Sequence, residues 1–133
     1  MIYRLLLILV LIFGLGVSSY ATSLPEQTTT AIDGDETFTS GTYAIGSATA
    51  VVVIMEASHD SAAAGVKIDQ SFDTDCVTAA SPTFQYTSTF SYTATNGAAY
   101  IAQAIGKCFR VRYVNGSTNQ TSFDLTTNLW GIR

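Results

Sequence analysis

Between Cys108 and Tyr113 the chain alternates without a break. Phe109, Val111 and Tyr113 share one parity, and Cys108, Arg110 and Arg112 share the other. Successive side chains of a strand point to opposite faces, so this period of two specifies a strand with one buried and one wet face. Asn115-Gly116 follows. Such a dipeptide suits a tight hairpin turn, whose two central residues take positive φ. Phe123, Leu125 and Thr127 then alternate with Asp124, Thr126 and Asn128. The expectation is a C-terminal hairpin with Phe109, Val111, Tyr113, Phe123 and Leu125 on its core face. Arg110, Arg112 and Asp124 occupy the wet face, with Asp124 across from one of the arginines.

Similar signals recur upstream. Further strands are expected near Glu36–Ser40, Tyr43–Ile45, Thr49–Glu56, Gly65–Gln70, Thr83–Tyr86, Thr89–Thr93 and Ala99–Ala104; the last two are Lys107–Val114 and Thr121–Leu129. Thr, Val, Tyr and Phe are frequent here, and branched or aromatic side chains pack well on a pleated surface. No amphipathic helix stands out after residue 25. Val51–Met55 is apolar on both parities, which points to a central strand covered on both faces or lying at a subunit contact. Many short strands separated by turns predict an all-β fold: one antiparallel β-sandwich, jelly-roll-like, behind an N-terminal hydrophobic helix. The chain's 133 residues suffice for one such domain. The boundaries read as a leader over 1–21, a polar linker over 22–35 and the sandwich over 36–133.

The leader carries Arg4, then an apolar run from Leu5 to Val17, then Ser19-Tyr20-Ala21. A positive start, an apolar stretch and a small-x-small site form a secretory signal, with cleavage expected before Thr22. The rival reading is an uncleaved membrane anchor, for which the apolar run is short of the ~20 residues a span needs. Export is expected either way: secreted, on an envelope or on a virion surface. Cys76 and Cys108 are the only cysteines. An even count behind a leader predicts that they are bonded to each other. The net charge is −4, without the basic footprint usual for nucleic-acid binding.

The run Phe109–Thr127 (FRVRYVNGSTNQTSFDLTT) resembles the C-terminal hairpin of small β-sandwich modules in tailed-bacteriophage virion proteins, of the tail, fibre or baseplate kind. Val51–Glu56 and Gly65–Asp73 resemble the strand pair of the same modules. The similarity spans roughly residues 36–129. The chain departs from the pattern in its leader and in carrying Cys76 and Cys108 where aromatics are usual. The resemblance implies a structural or receptor-facing role and brings no catalytic residues with it.

The side chains themselves offer few chemical constellations. His59-Asp60 beside Ser58 and Ser61 has the ingredients of part of a triad, but no G-x-S-x-G elbow accompanies it. A solvated turn is the plainer reading. Two cysteines and one histidine fall short of a four-ligand zinc set. Asp33-Gly-Asp-Glu36 and Asp73-Thr-Asp75 have calcium-like character, yet neither fits a twelve-residue calcium loop, and Asp is common in turns. Glu56 lacks an identifiable partner for paired-carboxylate chemistry. Asn115-Gly-Ser117 and Asn119-Gln-Thr121 match the glycosylation sequon. Tyr86, Phe90, Tyr92 and Tyr100 include candidates for a sugar-stacking platform, against core packing as the plainer reading.

The sequence therefore points to a non-enzymatic virion or envelope surface module without a cofactor or metal. It is expected to work through homo-oligomeric contacts, or contacts with other surface proteins, or through adhesion. Tyr92, Tyr100 and Trp130 are the candidate interface or ligand aromatics. The alternative is a secreted carbohydrate-binding sandwich with a glycan ligand. Nucleic acid is not an expected partner, and a membrane is one only if the leader stays in place.

Overall fold

A computed structural model of the chain describes residues 22–23, 31–76, 82–94 and 97–131. The leader and its cleavage site lie outside them. Among the described residues no helix is long and apolar enough to cross a membrane. The described elements are all strands: β1 (Thr22–Ser23), β2 (Thr37–Thr39), β3 (Tyr43–Ala44), β4 (Ala50–Ala57), β5 (Ser61–Ser71), β6 (Tyr86–Phe90), β7 (Ala98–Gln103), β8 (Cys108–Asn115) and β9 (Phe123–Trp130). They form two antiparallel sheets packed face to face. One is four-stranded, in the order β1-β9-β4-β7. The other runs β2-β8-β5-β6, with β3 also paired to β8. The antiparallel all-β sandwich expected from the sequence is the one observed, and the expected N-terminal hydrophobic helix lies outside the described residues.

Strand parity explains the core. β8 turns Phe109, Val111 and Tyr113 inward, and β9 turns Phe123, Leu125 and Thr127 inward, all at 0–1% exposure. β4 adds Val51, Val53 and Met55, and β5 adds Val66 and Ile68. Tyr113 and Phe123 meet across the sheets with ring centroids 4.8 Å apart. Branched and aromatic side chains on alternating positions give each sheet one apolar face, and burying those faces against each other is the main driving force.

The expected C-terminal hairpin does not form. β8 pairs with β2, β3 and β5, while β9 pairs with β1 and β4, in the other sheet. The chain after Asn115 is an arch between sheets. Gly116 does not have the positive φ of a tight hairpin turn. It is required for close approach, since a Cβ there would sit 2.8 Å from the Asp60 carbonyl oxygen. Asn115 is 1% exposed. Its amide Nδ2 donates to the carbonyls of Ile32, Asp33 and Thr118. The parity reading of each strand stands, but their adjacency does not.

Three other differences follow from side-chain burial. The strands expected at Thr83–Tyr86 and Thr89–Thr93 are one strand, β6, because the chain leaves the sheet after Phe90 to place Tyr92 in the core. Gly65–Gln70 is the C-terminal half of a longer strand, with an irregularity between Ser61 and Val66. The sandwich also draws on the 22–35 segment: Thr22 and Ser23 pair with Leu129 and Asn128, and Ile32 is buried.

Cys76 and Cys108 are bonded, with Cα atoms 5.5 Å apart. The bridge ties β8 to the segment that follows β5 over a separation of 32 residues. Cross-links of this span restrict the unfolded chain, so a Cys76→Ala/Cys108→Ala variant should lose roughly 2–4 kcal/mol. Urea unfolding of the oxidised protein against that variant measures this, and equal midpoints would show that the bridge does not stabilise the fold.

Candidate functional site

The two outer faces of the sandwich differ in character. On the four-stranded sheet, alternation turns Val52, Ile54 and Glu56 of β4 outward. Register places Val52 opposite Ile101, Ile54 opposite Ala99 and Ala50 opposite both Gln103 and Trp130. Ile54 is 47% exposed, Ile101 57% and Trp130 50%. These side chains form an apolar outer surface on a strand whose inner face is already in the core. At one end of it, Glu56 lies directly opposite Asp124. Together with Ile54, Ala98, Ala99 and Thr126 they line a shallow cleft of about 390 Å³.

The five-stranded sheet presents a polar outer face. Lys67 is paired with Arg112 and Thr89, and Asp69 with Arg110 and Thr87. Asp69 is 1% exposed although it faces outward, because two guanidiniums cover it. Arg112 donates Nε and Nη2 to the two carboxylate oxygens at 2.6 and 2.9 Å. Arg110 donates Nε at 2.9 Å, and Thr87 donates its hydroxyl at 2.8 Å. Phe84 stacks 4.0 Å from the Arg110 guanidinium carbon. Burial works to raise the Asp69 pKa, but the Arg112, Thr87 and Arg110 hydrogen bonds outweigh it and hold the carboxyl below its ordinary value. The expected salt partner of the arginines, Asp124, is in the other sheet; Asp69 holds that role.

The remaining candidates fall at loops or in the core. Ser58 Oγ lies 3.0 Å from His59 Nδ1, but it also donates to Gln120 Oε1 and accepts from the Thr121 amide. The Asp60 carboxylate accepts from the Ala94 amide at 2.6 Å. These residues pin the β4–β5 connection to the β8–β9 arch, with Gln120 Nε2 donating to the His59 carbonyl, the Tyr113 hydroxyl and Asn115 Oδ1. A cleft of about 420 Å³ opens there. Glu36 and Asp73 accept from the Asp33 and Thr83 amides, which is turn chemistry. Among the described residues no three metal-ligating side chains converge.

Tyr92 is a core residue at 1% exposure; its hydroxyl bonds both the amide and the carbonyl of Ala57. Tyr100 stacks on Phe90 at 5.1 Å and closes the edge where β6 approaches β7. Tyr86 is exposed and separate, so the four aromatics do not form one platform. Of the three named aromatics only Trp130 is on the open surface. Asn115 is buried by its own hydrogen bonds and closed to modification in the folded chain, whereas Asn119 is exposed. Sequence reasoning missed Asp69, Gln70 and Gln120. Each is polar and buried, and each is satisfied by partners far along the chain, which no local pattern announces.

Comparison with known proteins adds two findings. The family model described as "Uncharacterised protein YqxG N-terminal domain" matches residues 16–130. Among solved structures, the crystal structure of PBSX exported protein XepA matches with a TM-score of 0.60 and 19% identity, over 86% of this chain and 37% of that one. This likeness shows a shared fold, and the chain spans well under half of that protein's length. No curated protein matches the chain by sequence.

Proposed function

This chain belongs to the YqxG N-terminal domain family, and from that membership and its surface we propose an exported, non-enzymatic structural module of a phage-related particle or envelope surface. It works by association of folded domains. The observation that carries this reading is the exposed apolar surface of Ile54, Ile101 and Trp130 on the four-stranded sheet. Large contiguous apolar surface on an otherwise polar domain marks an interaction site. The XepA protein, a PBSX exported protein by its description, lends the setting. The Cys76–Cys108 bridge suits it, since disulfides persist in oxidising compartments.

Mass photometry and light scattering on the mature protein test the proposal. Assembly is expected for the native chain and loss of assembly for Ile101→Asp, with thermal unfolding unchanged because Ile101 is 57% exposed. A strict monomer at high concentration that binds a defined glycan would replace this reading with the carbohydrate-binding one. Intact-mass analysis of the exported protein tests the leader separately. A chain beginning at Thr22 is expected, and one retaining Met1 or Ile2 would make the segment an anchor.

A further inference from the structure

At one end of the sandwich three connections meet around the cleft of about 420 Å³. Residues 58–61 join β4 to β5, Ala94 follows β6, and residues 116–118 begin the β8–β9 arch. Loops held on a rigid scaffold are a common place for ligands, and the volume falls within the roughly 300–1,000 Å³ of small-ligand sites. The cleft shares no residue with the apolar surface of Ile54, Ile101 and Trp130. A ligand there is independent of the association reading.

The walls are fixed before any ligand arrives. The Gly116 amide donates to the Asp60 carbonyl at 3.3 Å, and the Ser61 amide donates to the Tyr92 carbonyl at 3.0 Å. The His59 amide donates to Gln120 Oε1 at 2.8 Å. Proton accounting then orients the His59 ring. Gln120 Nε2 donates to the His59 carbonyl and to Asn115 Oδ1, which makes Oε1 the acceptor beside Ser58. Ser58 has one hydroxyl proton, and Gln120 Oε1 takes it. The 3.0 Å contact between Ser58 Oγ and His59 Nδ1 is then a hydrogen bond only when Nδ1 carries the hydrogen. In its neutral form His59 therefore keeps its lone pair on Nε2, which has no partner among the described residues.

Asp60 is left in a similar condition. One carboxylate oxygen accepts from the Ala94 amide at 2.6 Å, and no described residue donates to the other. Ser117 and Thr118 are exposed, and their hydroxyls are not used by the described residues. The cleft thus offers two acceptors and two hydroxyls. Its lining has no Lys or Arg and no large apolar side chain. A carboxylate without a base beside it repels an anion, and so small and polar a lining offers little to a hydrophobic ligand.

We infer that this cleft is a saccharide site that takes the uncharged terminal sugar of a glycan. Sugar hydroxyls donate to the free Asp60 oxygen and to His59 Nε2, while sugar oxygens accept from Ser117 and Thr118. The bond to Asp60 is charge-assisted and is the strongest of the set. Walls already held by the chain's own hydrogen bonds lower the ordering cost of binding. The exposed side, at Asp60, Ser117 and Thr118, leaves space for the rest of the glycan.

The test probes an array of neutral, sialylated and phosphorylated glycans with the full mature chain and titrates the best neutral glycan by calorimetry. Saturable binding to neutral glycans is expected. Asp60→Asn keeps the oxygen that accepts from Ala94 and turns the free acceptor into a donor. It should weaken binding about tenfold or more, the range for a hydrogen bond to a charged group. His59→Asn keeps a donor toward Ser58 and removes Nε2, and should also weaken binding. Circular dichroism melts are expected to match the native chain. A variant with a lowered melt is replaced by Ser117→Ala/Thr118→Ala, which loses no side-chain bond of the fold and should weaken binding as well. Absence of binding to every neutral glycan overturns the inference, as does binding confined to charged ones. Native affinity in the folded variants would place the sugar elsewhere and overturn it too. Light scattering on the same samples reads the association reading separately, so either can fail alone.

Discussion

Replacing Phe109 with alanine should cost about 3–5 kcal/mol, the largest single loss among the substitutions considered, because it removes a buried ring and leaves a cavity. Phe109 is 0% exposed and lies on the central strand of the five-stranded sheet, between Gln70 of β5 and Tyr43 of β3. Its ring centroid is 5.8 Å from that of Tyr43. Tyr43 is only partly buried, but the backbone around the site is held on both sides by ladder hydrogen bonds, which limits collapse into the space. Equilibrium urea unfolding measures the loss as a lower midpoint at constant slope. A loss under about 1.5 kcal/mol would mean that the neighbours refill the site.

Asp69→Ala should cost about 3 kcal/mol or more. Removing one partner of a buried ion pair leaves the other charges without compensation. Arg110 and Arg112 are each 29% exposed, so they can turn partly to water, which keeps the loss at the low end of that class. The variant also carries a pH signature. The folded Asp69 pKa lies below its ordinary 3.8. The stabilisation from this group is therefore fully present above pH 3.8 and is lost as pH falls through the lower folded value. The native protein should lose stability along that limb, and Asp69→Ala should lose less of it. Parallel acid limbs would show that the carboxylate does not gain from its arginines. Arg112→Ala, expected to be nearly silent if Asp124 were its exposed partner, should instead cost about 1.5–3 kcal/mol, the range for hydrogen bonds to a charged group.

These two residues show what was legible in the sequence. Phe109 was, because inward and outward positions follow a period of two that needs only its own strand. Asp69 was not, because its role depends on which strand lies beside β5. The sequence between β8 and β9 suggested a hairpin, and from it an Asp124–arginine pair. Both readings failed at one residue: Gly116 serves a close approach to Asp60, not a positive-φ turn. The apolar surface was half legible. The doubly apolar run Val51–Met55 announced a strand with two apolar faces, and the structure adds that Ile101 and Trp130 extend the outer one. Tyr92 and Tyr100 were poorer guides, since an aromatic's spacing alone does not say whether it fills the core or faces solvent. The cysteine pairing was legible because only one pairing existed.

The order of strands has a kinetic consequence. β2 waits for β8, and β4 waits for β9: Phe38 is paired with Tyr113 and Val53 with Thr127. Neither sheet can acquire its central neighbour until the last quarter of the chain has been made. Closing contacts so far apart in sequence is slow, on the order of milliseconds to seconds for sandwiches of this type. An emerging chain therefore cannot complete either sheet through most of its synthesis, since only the β5–β6 and β4–β7 pairings precede β8, and Cys76 stays apart from Cys108 until β8 arrives. For the exported module proposed above, that delay favours threading through a membrane before folding, and it is a property of strand topology.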